Sequence, residues 1–414
     1  MAFLLSLLAC GGIFLWADRL FQRAPLIPYL DSLRIGRAHQ LFIGIFIGMA
    51  LPIHEMLFRQ IDILRHEFLN IGLVWFGFQT GLAFDLQRLR RLSLKTIAAQ
   101  LTITMTTIGF SVLGVLASGQ ILYTHLGLKT DLPLAVLVLA SFAATIRFPE
   151  PTFRWHKQAL PPPSDAIADL PLANVIAVLF LGLASPLFSH TFSMPSDTLS
   201  LLGLSRNFPL LLIVGLLGGM ALDFVLRAHR QIRRGVGLAF GIIIVLSGLS
   251  HTLSIPALTV GLIGGIWLVN STVAKRDVLQ FASRASGVIE PLFFLFLGSL
   301  IGGYGGGVFF EAGLLVPLAL LLLLFRTIGR MIGLVISQHA WLLPKTWREV
   351  MDLSWRPMDI LSAAIGVQGL FLLQLSHNTL IAAMILATLL TQGLIFPPRQ
   401  QPKRTTSATT PTGT

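Results

Sequence analysis

Long apolar runs separated by short polar connections dominate the chain from residue 2 to residue 395. They fall at 2–17, 40–57, 68–84, 96–118, 132–148, 170–190, 209–226, 236–249, 253–270, 287–301, 314–337, 357–373 and 380–395. Crossing a hydrocarbon layer takes ~20 residues of helix, because each backbone N–H and C=O must find its partner within the segment. The pattern therefore predicts an all-α, polytopic membrane protein of about thirteen transmembrane helices. The first run could be a cleaved signal peptide, but no Lys or Arg precedes it, so it reads as a first membrane helix. Beyond residue 396 the chain turns to Thr, Pro and Ser with no apolar period, which predicts a disordered tail at 397–414 after one membrane domain at 1–396.

The basic residues test this count. If the connections alternate between two sides, one set holds 24 Lys and Arg, from Arg19, Arg23, Arg34 and Arg37 to Arg399, Lys403 and Arg404 in the tail. The other set holds only 4: Arg59, Arg65, Lys129 and Arg206. An error in the number of spans would mix the two sets after the error. The richer set is the cytoplasmic one, so the predicted topology is N-out and C-in with an odd number of spans.

Composition agrees. Mean hydropathy is +0.79 and charged residues make up 12% of the chain, about half the share in a soluble domain. The net charge of +12 does not indicate nucleic acid, because the basic residues recur in alternate connections and form no single patch. A single cysteine, Cys10, excludes a disulfide framework. Metal-ligand spacing is absent from the Cys and His positions, and the glycine-rich 302–307 lacks the Lys-Ser/Thr of a nucleotide loop. The sequence thus predicts no metal and no cofactor, and no membrane-protease constellation that would make it an enzyme.

Several motifs resemble a known family. Residues 72–86 (GLVWFGFQTGLAFDL) resemble the "GL…F…GLE(L/F)DL" signature of the cation:proton antiporter superfamily, closest to its monovalent cation:proton antiporter-2 branch. Residues 290–298 (EPLFFLFLG) resemble that family's "FF…G" helix, 329–333 (GRMIG) its "GK..G" segment, and 356–359 (RPMD) a degraded "PRGE". The matches occur in family order along almost the whole chain. The resemblance implies a sodium/proton antiporter-like fold: an extra first helix, two inverted repeats, and broken fifth and twelfth helices that cross. It also implies core helices at about 96–190 and 314–395 that move against dimerisation or scaffold helices at about 2–84 and 209–301.

Ionisable and polar residues inside spans are costly in a bilayer, so each is a candidate for function. Arg330 lies ~10 Å inside its helix and matches the family's membrane-embedded Lys. Arg326 stands one turn further in on the same face. Ala143, Ala144 and Thr145 resemble the start of the family's "ATSP" break, with Ile146, Arg147 and Phe148 inserted before Pro149. In the sixth span the resemblance puts Asn174 where the family carries its ion-binding Asp. An amide can offer a carbonyl to a cation but does not titrate near neutral pH. Asp169, five residues earlier, sits ~140° away around the helix and equally suits a first-turn acid. Glu290 enters the tenth span at about the depth of Arg330 and could pair with it, while Asp359 opens the twelfth span.

The expected function is exchange of a monovalent cation, Na⁺ or K⁺, for protons by an elevator-type movement in a bacterial plasma membrane. The expected carriers are Asn174, Asp169, Arg330 and Thr145, with Glu290, Arg326 and Asp359 in support. The partners implied are cations, protons, the lipid bilayer and a second copy in a homodimer. Two alternatives follow from Asn174 and the two arginines: an anion or organic-acid carrier on the same scaffold, or a transport-inactive sensor or scaffold relative.

Overall fold

The computed structural model describes residues 38–50, 55–90, 92–117, 132–146, 171–188, 201–228, 232–272, 275–303, 312–341, 350, 353–354, 358, 360–373 and 379–393. No strand occurs among them. The helices are α1 (Ala38–Ala50), α2 (Glu55–Leu82), a short α3 (Leu86–Leu89), α4 (Leu94–Ala117), α5 (Leu132–Ala144) and α6 (Leu172–Phe188). After these come α7 (Leu201–Ala228), α8 (Ile232–Thr252), α9 (Ala257–Ser271) and α10 (Lys275–Gly303). The last three are α11 (Ala312–Trp341), α12 (Ile360–Leu373) and α13 (Thr379–Gly393). The first expected span and the tail lie outside the described residues.

Four stretches are long and apolar enough to cross a bilayer by themselves: Leu94–Ala117, Phe208–Ala228, Asp277–Gly303 and Leu315–Ala340. Their outer faces expose large apolar side chains, such as Leu113, Phe224, Val288 and Leu320. In water such continuous faces would be a liability; in lipid they are the ordinary surface. The chain is a multi-pass, all-helical membrane protein. Within it α5 and α12 have only 13 and 14 residues, ~20 Å each, and they touch where Gly369 meets Val138.

Two helices start well before their apolar runs. Helix α2 begins at Glu55 and α10 at Lys275, so Arg59 and Arg65 lie in α2 and not in a loop. Arg206 likewise lies in α7. Hydropathy misses these extensions because a helix end that leaves the hydrocarbon can carry charge. Arg65 is fully buried, and its Nη1 donates to the carbonyl of Ser299 at 2.9 Å, in the last turn of α10. A cation there complements the negative end of the helix dipole.

Glycine pairs set the closest packing. Gly44 and Gly48 of α1 lie against Gly298 and Gly302 of α10; Gly77 and Gly81 of α2 lie against Gly261 and Gly265 of α9. Each pair is spaced i, i+4, so one face of each helix is bare backbone. A Cβ added at Gly48 would stand 2.7 Å from the Gly303 nitrogen, and one at Gly265 3.0 Å from the Gly81 Cα. Lipid tails give apolar helices no hydrophobic reason to associate, so close backbone packing supplies the attraction. Helix α4 packs on α11 in a third seam, through Gly329 and Gly333. Around α9 lie α2 and α7; around α5 lie α4, α6 and α12, and α13 packs on α11 and α12.

These seams predict an asymmetry among glycines. Gly261→Val drives its side chain into the backbone at Val74 and is expected to cost ~1–3 kcal/mol or to block folding. Gly241→Ala, where nothing lies within 4 Å, is expected to be neutral or slightly stabilising. Thermal unfolding in detergent measures both; equal loss from the two would remove the seam as the organising contact.

Candidate functional site

The site forms where α5 stops. Its last turn tightens as the Thr145 amide and the Thr145 hydroxyl both donate to the Phe142 carbonyl, at 3.2 and 2.8 Å. β-Branched Thr145 and Ile146 follow the alanines that favour the helix. The chain leaves helical geometry at Thr145, four residues before Pro149, which lies outside the described residues. At this end, buried backbone groups need partners from elsewhere.

Two other helices supply them. From α6, the Asn174 carboxamide engages both polar groups of Ile146: its Oδ1 accepts from the Ile146 amide at 2.9 Å and its Nδ2 donates to the Ile146 carbonyl at 3.0 Å. From α11, Arg326 Nη2 donates to the Thr145 carbonyl at 3.2 Å. An amide side chain suits the first task because it presents an acceptor and a donor side by side, as a neighbouring peptide would. Thr145 is 0% exposed, Asn174 and Arg326 1% each, and Arg330, one turn beyond Arg326, 4%. Asn174, Thr145 and Arg326 therefore meet at one break. Arg326 bonds to that break, and Arg330 is buried one turn further along α11.

Glu290 stands elsewhere. Its carboxylate receives Gln79 Nε2 of α2 at 3.4 Å, and the same amide donates to Ser286. The helix carrying Glu290 packs on α1 and α2, whereas that of Arg330 packs on α4 and α13. Asp169 and Asp359 lie outside the described residues. On either side of Asp359, the Met358 amide donates to Thr391 at 3.2 Å and the Ser362 and Thr388 hydroxyls bond at 2.8 Å. No cluster of three metal-ligating side chains occurs among the described residues.

Sequence reasoning missed one polar set. Thr96, Gln100, Thr104, Thr107 and Ser111 of α4 are all buried. Their spacing of 4, 4, 3 and 4 is the helical period, so a count of polar residues at that interval inside an apolar run would have found them.

No model of a known protein family matches the chain, and no curated protein matches it in sequence. In structure it is similar to a sodium proton antiporter of Methanocaldococcus jannaschii. That likeness has a TM-score of 0.57 at 15% identity and covers 94% of each chain. At this identity the likeness shows the fold: a cation:proton antiporter-like arrangement of helices over almost the whole protein.

The paired bonds at Ile146 make Asn174 a clamp, and this is testable. Asn174→Leu strips both partners from a buried peptide and is expected to cost roughly 1–3 kcal/mol for each orphaned group. Asn174→Asp is expected to lose stability as pH rises, because the protonated carboxyl can donate to the Ile146 carbonyl and the carboxylate cannot. Melting curves across pH measure this. A pH-independent Asn174→Asp protein, or an Asn174→Leu protein as stable as the native one, would remove the clamp.

Proposed function

We propose that this chain is a secondary transporter that exchanges a monovalent cation, Na⁺ or K⁺, for protons across a bacterial plasma membrane. The single observation that carries the reading is the convergence of Asn174 and Arg326 on two successive peptide groups, Thr145 and Ile146, at the end of a short helix. Irregular backbone at membrane depth is tolerated where it is packed in protein or lines a cavity, and carriers place their ion sites at such breaks. The fold shared with a sodium proton antiporter supports the same class of carrier.

The roles follow from chemistry. Asn174 does not titrate and is engaged with the backbone, so it holds the break in place. Asp169, three residues before α6 in sequence, supplies the carboxylate that takes a proton and a cation in turn. Arg330 supplies fixed positive charge, which competes with both for that carboxylate. Arg326 anchors the Thr145 end, Asp359 directly precedes α12 in sequence, and Glu290 braces the scaffold through Gln79. Exchange proceeds as the helices of 96–190 and 314–395 move past those of 2–84 and 209–301, in each subunit of a homodimer. Few polar bonds oppose such a movement among the described residues; one runs from the Leu258 amide of α9 to Gln368 of α12, at 3.2 Å.

One observation favours a second reading. Two guanidinium groups are buried one turn apart on α11, and Arg326 is bonded to the backbone of the break. A positive site favours a negative substrate, so an anion or organic-acid carrier is the competing assignment.

Proteoliposomes loaded with a pH indicator separate the two. Imposed Na⁺ or K⁺ gradients are expected to drive proton movement in native protein, with loss of about tenfold or more in Asp169→Asn and Arg330→Ala. Flux driven by anions and indifferent to cations would replace this reading with the second. If neither gradient drives flux, the protein is not a carrier.

A further inference from the structure

Helix α4 is inside out. Its exposed face carries Leu101, Met105, Leu113 and Leu116, while its buried face carries Thr96, Gln100, Thr104, Thr107 and Ser111. At about 100° per residue these five polar positions fall within one stripe ~80° wide. A helix that met only apolar neighbours inside a membrane protein would have no reason for that stripe, since each polar group there must find a partner or meet water.

The partners do not account for it. The hydroxyls of Thr104 and Thr107 donate to their own helix, at Gln100 and Ile103, which leaves their oxygens as acceptors facing outward from the backbone. Gln100 Nε2 and Ser111 Oγ are buried with no hydrogen-bond partner, although each residue is only 2% exposed. On the neighbouring α5, Ser141 Oγ is in the same condition, one turn before Thr145. Donors and acceptors thus remain unmatched along the seam of α4 and α5.

The direction of the stripe follows from the α4–α11 seam. Gly114 meets Phe325, Gly329 meets Phe110 and Thr107, and Gly333 meets Ile103 and Thr106, so the two helices run antiparallel. With the seam as reference, the stripe is turned ~60° to one side on α4, and Arg326 and Arg330 are turned ~60–100° on α11. For antiparallel helices these rotations point to the same flank, the one where Arg326 reaches Thr145 at the end of α5. In height, Thr107 and Ser111 are level with the arginines, and Gln100 and Thr96 lead from there to the end of the helix that carries Lys95.

We propose that this face of α4 lines a narrow water-filled path between α4, α5 and α11, leading from the Lys95 side of the membrane to the buried arginines. Water is the ligand that fits, because it donates to the free lone pairs of Thr104 and Thr107 and accepts from Gln100. In the transporter reading on which its use rests, the path delivers protons and partly hydrated cations to the break. It runs inside the group of helices that carries the break, and so stays in place when that group moves.

The test reads access and not transport, so it stands apart from the flux experiment. In a Cys10→Ser background of the full chain in oriented vesicles, single cysteines replace Gln100, Thr104, Thr107 and Ser111. Met105→Cys and Leu113→Cys serve as lipid-facing references, and the exposed Gln87→Cys as a freely reacting one. A positively charged methanethiosulfonate reagent is added from the Lys95 side. The four stripe positions are expected to react about tenfold or more faster than the lipid-facing pair, slowing from 100 to 111, because thiolate forms only where water reaches. If 107 and 111 react no faster than 105 and 113 while 87 reacts fully, the path does not exist. Labelling without ion flux would sink the transporter reading and leave the path standing.

Discussion

Everything in this molecule answers to one constraint: a peptide group in the hydrocarbon must have its hydrogen bonds made by the protein. The described helices meet it internally along their own length. The break after Ala144 is where the helix stops doing so, and two side chains take over. Asn174 answers both polar groups of Ile146 and Arg326 answers the carbonyl of Thr145. At that point three hydrogen bonds tie α6 and α11 to the end of α5. Residues that a solvent-exposed chain could spare become indispensable there.

The same solvent explains how the rest is assembled. With lipid outside, apolar burial does not pull helices together, and backbone-to-backbone contact takes its place. The glycine seams of α1 with α10 and α2 with α9 are built alike, two glycines on each side at one-turn spacing. Aromatic side chains fill the space beside them: Trp75 meets Phe281 edge-on and Phe68 stacks on Phe296 at 4.7 Å. Polar residues are then free to collect inside, as they do on α4, with leucines and methionines turned outward. The ends in water follow ordinary rules, as in the Lys275–Asp85 pair at 2.9 Å.

Charged groups engage different helices. Glu290 and Gln79 form a polar contact between α10 and α2, and Arg65 closes the last turn of α10. Arg326 sits buried at the end of α5, where Asn174 adds an amide that carries no charge at any pH, and Arg330 is buried one turn along α11. An Asp at position 174 could hold the Ile146 carbonyl only while protonated. Asn holds it at every pH.

Much of this was legible in the residues alone. Apolar runs gave the helix positions from residue 40 onward, because crossing lipid demands length and composition together. The likeness of residues 72–86, 290–298 and 329–333 to the antiporter superfamily agrees with the fold found here. Ala-Ala-Thr at 143–145 marked the end of α5, and the rarity of charge in a bilayer singled out Arg326 and Arg330. What only the tertiary structure decided is which groups meet. Asn174 reads as an ion ligand along the chain, and in the fold its carboxamide bonds to both polar groups of Ile146. Arg326 bonds to the Thr145 carbonyl, and Arg65 belongs to a helix interior. Each of these depends on partners 28 to 234 residues away in sequence, and a local pattern carries no information about such distances.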